Sequence, residues 1–159
     1  MAETELTFSR DFDLPPAIVW DALVDDVLVE GWLAPARIDA REGGEYFLDW
    51  QDPPGLAASN GVITWFEPGR RLSVQTDNIG NFDFLLEPFD GGTRGSSTAL
   101  TIRLVVTTEY RLLRSTRAYW LSNLDQLEGL LRGHPVDWAN WQEDRGDIWA
   151  EYLRTSAPE

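Results

Sequence analysis

Residues 114–132 read RSTRAYWLSNLDQLEGLLR, and the spacing inside this stretch decides the architecture. Arg117, Trp120, Leu124, Leu127 and Leu131 recur at intervals of three and four with Leu121 beside them, which puts an apolar stripe along a helix of about five turns. Gly133-His134-Pro135 stops it. An apolar stripe of that length needs a surface to cover, and upstream of it the chain offers a sheet.

The sheet is legible as short alternating runs separated by turn residues. The runs are Ala36 to Arg41, Glu45 to Trp50, Gly61 to Glu67, Arg70 to Thr76, Asn81 to Glu87 and Ser97 to Thr107. Gly43-Gly44, Asp52-Pro53-Pro54-Gly55, Pro68-Gly69, Asp77-Asn78-Ile79-Gly80 and Asp90-Gly91-Gly92 lie between them, and each separator supplies glycine for a tight turn. Before them, Leu6, Phe8 and Phe12 alternate with Thr7, Ser9 and Asp11, a half-buried strand with Arg10 on its apolar side. These make roughly seven strands in an antiparallel meander. Between the first strand and the rest, Asp13 is placed to cap a helix whose first turn holds Pro15 and Pro16. Ile18, Val19, Ala22, Leu23 and Val27 give that helix its apolar face, with a break near Asp25-Asp26 into a second helix ending at Gly31-Trp32-Leu33-Ala34-Pro35. Near the C-terminus, Trp138, Trp141, Trp149 and Tyr152 stand close to helical spacing, interrupted at Gly146. The expected fold is α+β of the helix-grip type: a curved antiparallel sheet wrapped around a long C-terminal helix, with two short helices after the first strand. We expect a single domain over 1–159, its core at about 4–132 and a Trp-rich extension at 134–159.

Composition narrows the function classes. The 159 residues hold 27 acids against 13 basic residues, every one of the latter Arg, for a net charge of -14. Residues 1–60 carry 13 acids and 3 Arg, so the negative field is concentrated there. Nucleic-acid backbones and anionic membranes need clustered cations, so neither is an expected partner. Without Lys there is no Schiff-base chemistry, and without Cys no disulfide, thiolate metal site or thiol nucleophile. The first ten residues lack a signal-peptide pattern and no apolar run reaches a membrane span, so a cytoplasmic setting is expected.

Several phrases of the sequence, taken in order, resemble one known family. Arg10-Asp11-Phe12 followed by Leu14-Pro15-Pro16-Ala17-Ile18-Val19-Trp20-Asp21-Ala22-Leu23 is similar to the R-x-F-x-x-P-x-x-V-W-x-A-L opening of the family of homologues of the heat-shock protein 90 ATPase activator. The likeness continues through Trp32-Leu33-Ala34-Pro35, Arg41-Glu42-Gly43-Gly44-Glu45-Tyr46, Gly61 to Arg71-Leu72, Phe82 to Pro88, Gly91-Gly92-Thr93-Arg94 and Trp120-Leu121-Ser122-Asn123-Leu124. It covers about residues 4–131. The resemblance implies the START-like fold of the birch-pollen-allergen superfamily, with a ligand gap between sheet and long helix. It also implies a chaperone-linked interaction role as the alternative, and a cyclase- or hydrolase-like enzyme as a third. This chain departs from the pattern at Gly95-Ser96-Ser97, which lengthens or bulges a hairpin, at Leu104 to Thr108, where the customary His-Ser-Gly is missing, and in the Trp-rich segment after His134.

Strand parity selects the candidate lining. Tyr46, Leu48 and Trp50 share one face, as do Phe82, Phe84 and Leu86; Val74 and Thr76 come from the run between, and Trp120 and Leu124 from the helix. The same residues also suit ordinary core packing. Arg10 is expected to bind a ligand anion, to pair with an acid such as Asp83 or Glu45, or to end in solvent. Arg117 and Tyr119 place polar tips near the cavity mouth. An enzyme would need an ionisable group inside, for which Arg10, Asp49 and Asp83 are the candidates. His134 is the only His and has no nucleophile context, and Glu143-Asp144 with Asp147 lacks a calcium-loop spacing. We therefore expect no catalytic residue, no metal site and no cofactor. Trp138, Trp141 and Trp149 are the candidates for a protein partner or a homodimer face.

Overall fold

The computed structural model describes residues 2–50, 57–78, 80–92, 95–108 and 110–155, with backbone alone at 2, 107, 108, 110–115, 142 and 143. The elements are β1 (Ala2–Phe12), α1 (Pro16–Val24), α2 (Asp26–Glu30), β2 (Ala36–Ile38), β3 (Glu45–Leu48), β4 (Ser59–Glu67), β5 (Arg71–Thr76), β6 (Asn81–Asp90), β7 (Ser96–Thr108), α3 (Tyr110–Leu131) and α4 (Trp141–Thr155), with a 3-10 turn at Trp138–Asn140 before α4. The expected separator at 52–55 and Ile79 of the separator at 77–80 lie outside the described residues, as do Thr93 and Arg94 of the family-like phrase Gly91 to Arg94.

The seven strands form one curved antiparallel sheet in the order β1-β7-β6-β5-β4-β3-β2. The middle of the sheet is a meander because each hairpin has the turn chemistry it needs. Glu67-Pro68-Gly69-Arg70 is one case: the Arg70 amide donates to the Glu67 carbonyl at 2.9 Å, and Gly69 takes φ 76°, the positive value a type II turn demands at that position. The register of β1 on β7 runs from Ala2 opposite Thr108 to Phe12 opposite Thr98. This pairing returns the N-terminal strand to the end of the meander.

One face of the sheet is predominantly apolar. Leu6, Phe8 and Phe12, Tyr46 and Leu48, Ile63, Leu72 and Val74, Phe82, Phe84 and Leu86, and Leu100, Ile102 and Leu104 are all buried in a common core. Trp120, Leu124 and Leu127 of α3 join the same core, so the long helix lies on the concave face as its stripe requires. Burying such side chains stabilises by about 1.5–3 kcal/mol each, which makes this interlayer the main source of stability.

The two short helices close one end. Pro15 and Pro16 start α1 without any side-chain cap, so the capping expected from Asp13 is corrected: two prolines leave the first turn one fewer amide to satisfy. Asp25 ends α1 and caps α2, accepting from the amides of Val27 at 2.9 Å and Leu28 at 3.4 Å. Two buried bonds hold this segment: Trp32 Nε1, in the turn after α2, donates to the Ala22 carbonyl of α1, and the Tyr46 hydroxyl of β3 ties α1 to the sheet through the Leu23 carbonyl, both at 2.7 Å. The expected break in the C-terminal helix at Gly146 does not occur, and α4 runs through it. Glycine there costs about 1 kcal/mol against alanine, which the docking of α4 on α3 offsets.

Gly61 faces the core where β3 and β4 approach closely. A Cβ on it would lie 2.5 Å from the Tyr46 carbonyl oxygen and 2.9 Å from Val74 Cγ1. Gly61→Ala should therefore force the two strands apart and lower stability by about 1–3 kcal/mol, read as a drop in the urea midpoint with unchanged slope.

Candidate functional site

The concave face carries a connected series of aromatic rings in edge-on contact. Centroids of Trp32 and Phe84 are 6.3 Å apart, Phe84 and Phe82 5.4 Å, Phe82 and Tyr46 5.9 Å, and Phe82 and Trp120 5.8 Å. At the other end Trp50 meets Tyr119 edge-on at 5.7 Å. Such pairs add about 0.5–1.5 kcal/mol beyond their burial, so they also fix the spacing of α3 above the sheet. The structure thus brings together Tyr46, Leu48, Trp50, Val74, Phe82, Phe84, Trp120 and Leu124 of the expected lining, all of them buried. Thr76 is half-buried at the end of β5, its hydroxyl 2.5 Å from the Gly80 carbonyl oxygen.

The charged candidates go elsewhere. Arg10 does lie on the inner parity of β1, but it reaches α3: its Nη1 is 2.6 Å from Asp125 Oδ1 and 3.8 Å from Glu128 Oε2. Neither Asp83 nor Glu45 is the partner. Asp83 has the opposite parity to Phe82 and Phe84, and on the convex face it takes the Ser73 hydroxyl and Arg71. Glu45 pairs with Arg37 at 3.5 Å, and Asp49 and Arg117 are exposed. Of the three ionisable groups named for an enzyme, Asp83 lies on the convex face and Asp49 is exposed, while Arg10 bridges β1 to α3 with Asp125 as its partner. Tyr119, by contrast, is buried.

Polar side chains unmarked in the sequence reading run through the same region. Ser59 accepts from Trp50 Nε1 at 2.8 Å and bonds Asn78 Oδ1 at 2.5 Å, while Asn78 Nδ2 holds the carbonyls of Ala57 and Ala58. On α3, Ser122, Asn123 and Gln126 are buried. Gln126 Nε2 donates to the Trp32 carbonyl at 2.7 Å and to Asn123 Oδ1 at 3.1 Å, and Gln126 Oε1 accepts from Trp141 Nε1 at 2.9 Å. The usable signal was their position: Asn123 stands three residues after Trp120, on the flank of the apolar stripe.

The C-terminal aromatics are engaged within the chain. Trp141 is buried against α3, Trp149 packs on the core and Trp138 Nε1 donates to the Glu30 carbonyl at 2.7 Å. With α4 docked, Trp141 is 5% exposed. Tyr152 donates to Asp125 Oδ2 at 2.6 Å, so one carboxylate joins β1, α3 and α4.

An antiparallel sheet gripping a long helix, with short helices closing one end, defines the helix-grip, START-like class of α+β proteins. The profile of the Activator of Hsp90 ATPase homolog 1-like family matches residues 13–132, and the chain belongs to that family. Comparison with curated proteins gave no match. Among solved structures, CalU16 from Micromonospora echinospora is similar at 26% identity and TM-score 0.61, over 94% of this chain and 88% of that one. Protein NE0264 from Nitrosomonas europaea is similar at 24% identity and TM-score 0.66, over 81% and 94% respectively. Protein MLL2253 from Mesorhizobium loti reaches TM-score 0.70 at 19% identity, over 84% and 100%. No helix among the described residues is long and apolar enough to cross a membrane.

Burial raises the Tyr46 phenol far above its ordinary value of 10.0, and burial together with Asp125 raises Tyr152. A folded phenol that holds its proton beyond the pH at which the unfolded one releases it contributes fully below pH 10 and loses that contribution as pH rises further. Stability should accordingly fall steeply above pH 10. Tyr46→Phe should cost about 1 kcal/mol at neutral pH through the lost bond to Leu23 and make the alkaline decline shallower, both readable from urea midpoints.

Proposed function

We propose that the chain binds an apolar or aromatic small molecule between the concave face of the sheet and α3, as a carrier or sensor. The observation that supports this is the continuous aromatic surface of Trp32, Phe84, Phe82, Tyr46 and Trp120, closed at one end by the short helices. Aromatic faces and edges recognise flat apolar ligands with little conformational cost, and a site of this kind needs only a few polar groups to orient its occupant. A binding role fits the distribution of charge as well. The ionisable candidates lie at the edge or on the convex side, so the interlayer suits retention of a neutral molecule better than proton transfer to it.

Titration with a hydrophobic fluorophore, followed by displacement with a panel of lipids and flavonoids, checks the proposal. Saturable one-to-one binding that perturbs Trp emission is expected. Val74→Phe adds bulk to the concave face and should weaken that binding roughly tenfold or more while leaving a folded protein. Non-saturable uptake by the wild type, or affinity untouched by Val74→Phe, would remove the reading.

A further inference from the structure

A chain of hydrogen bonds enters the interlayer from α4 and ends on an unmet donor. Trp141 Nε1 can only donate, so the Gln126 atom 2.9 Å from it is the oxygen. That orientation turns Gln126 Nε2 toward the Trp32 carbonyl and Asn123 Oδ1, and both of its N–H groups are used. Asn123 must in turn present its oxygen to Gln126. Its Nδ2, with two N–H groups, is left buried with no acceptor, on a residue only 1% exposed. An amide flip does not relieve this, because it would set two N–H groups face to face. Asn123 lies three residues after Trp120 and four before Leu127, both of them core residues, and so stands on the flank of the apolar stripe of α3. Buried amides in native proteins nearly always have partners, so a donor held in place by three fixed bonds marks where an acceptor belongs.

We infer that Asn123 Nδ2 is the polar anchor for a neutral carbonyl oxygen on an otherwise apolar, aromatic ligand, an inference that rests on the interlayer being the binding site. The acceptor is a carbonyl of a ketone, quinone or lactone rather than a carboxylate. Among the described residues the buried polar side chains are Ser59, Ser73, Ser97, Thr98, Ser122, Asn123 and Gln126, none of them charged. Arg10, on the inner parity of β1, is already held by Asp125. A carboxylate would therefore be desolvated with no counter-charge.

The test uses matched probes on two scaffolds: fluorenone, fluorene and fluorene-9-carboxylate, and anthraquinone, anthracene and anthracene-9-carboxylate. On at least one scaffold the full chain should bind the carbonyl compound about tenfold or more tighter than the hydrocarbon and the acid. In Asn123→Leu that advantage should shrink to less than about twofold. In the wild type, saturating ketone should also move the side-chain amide resonance of Asn123 in a 1H–15N spectrum, a readout that stands if the variant fails to fold. Equal binding of carbonyl and hydrocarbon, tightest binding of the acid, an advantage that survives in Asn123→Leu, or an unmoved Asn123 resonance each overturns the anchor. Hydrocarbon binding without a carbonyl preference would leave the interlayer reading intact, whereas no binding by any probe would remove both.

Discussion

The contact of α3 with the concave face, centred on Trp120 over Phe82, is the constraint on which the rest depends. Neither layer is stable alone: an isolated helix draws little on propensity, and a sheet with one apolar face must cover it. Once Trp120, Leu124 and Leu127 are seated, the curvature of the sheet and the positions of the short helices follow from filling what remains. Phe84 meets Trp32, and Tyr46 reaches over to the Leu23 carbonyl. The bulge between Ile63 and Trp65 belongs to the same requirement, since an extra residue bends a strand and increases its twist.

Covering the other side of α3 changes what the helix can carry. Against a sheet alone, Ala118, Ser122 and Gln126 would face solvent; with α4 in place all three are buried. Gln126 then needs partners, and they come from distant segments: Trp141 for its oxygen and the Trp32 carbonyl for its amide, while Asp125 is the joint for Arg10 and Tyr152. The Trp-rich extension beyond the family's matched region thus sets the interior electrostatics of the gripped helix as well as its burial.

Periodic features were legible in the sequence and pairwise ones were not. The stripe from Trp120 to Leu131, the alternation of Leu6, Phe8 and Phe12, and the break at Asp25 each depend on neighbours within a few residues, and each reappears in the structure. Trp65 shows where parity fails. It shares sequence parity with Ile63, yet the bulge between them turns it outward to 47% exposure and brings Phe66 onto the core. Arg10 shows a second limit: parity sent it to the correct side, but its partner lies 115 residues away on α3. Strand parity and the helix stripe supplied the lining, whereas Asn123 and Gln126 were given no role of their own because those roles arise from Trp32 and Trp141, which only folding brings near.

The interior and the convex face divide the chemistry between them. On the convex side Arg71 stacks 4.7 Å over Trp65 and pairs with Asp83, so charge is kept in contact with water and exposed aromatic surface is shielded by a cation. On the concave side the buried polar side chains among the described residues are neutral, and the bonds of Gln126 orient Asn123, whose Nδ2 is left without a partner. Such an interior is set up for discrimination by shape and by a single hydrogen bond, because buried polar groups reject an occupant that leaves them unmet far more strongly than an apolar wall rejects an extra methylene. The acidity of the chain, concentrated in residues 1–60, therefore acts on solubility and on which molecules approach, while selection inside is left to neutral contacts.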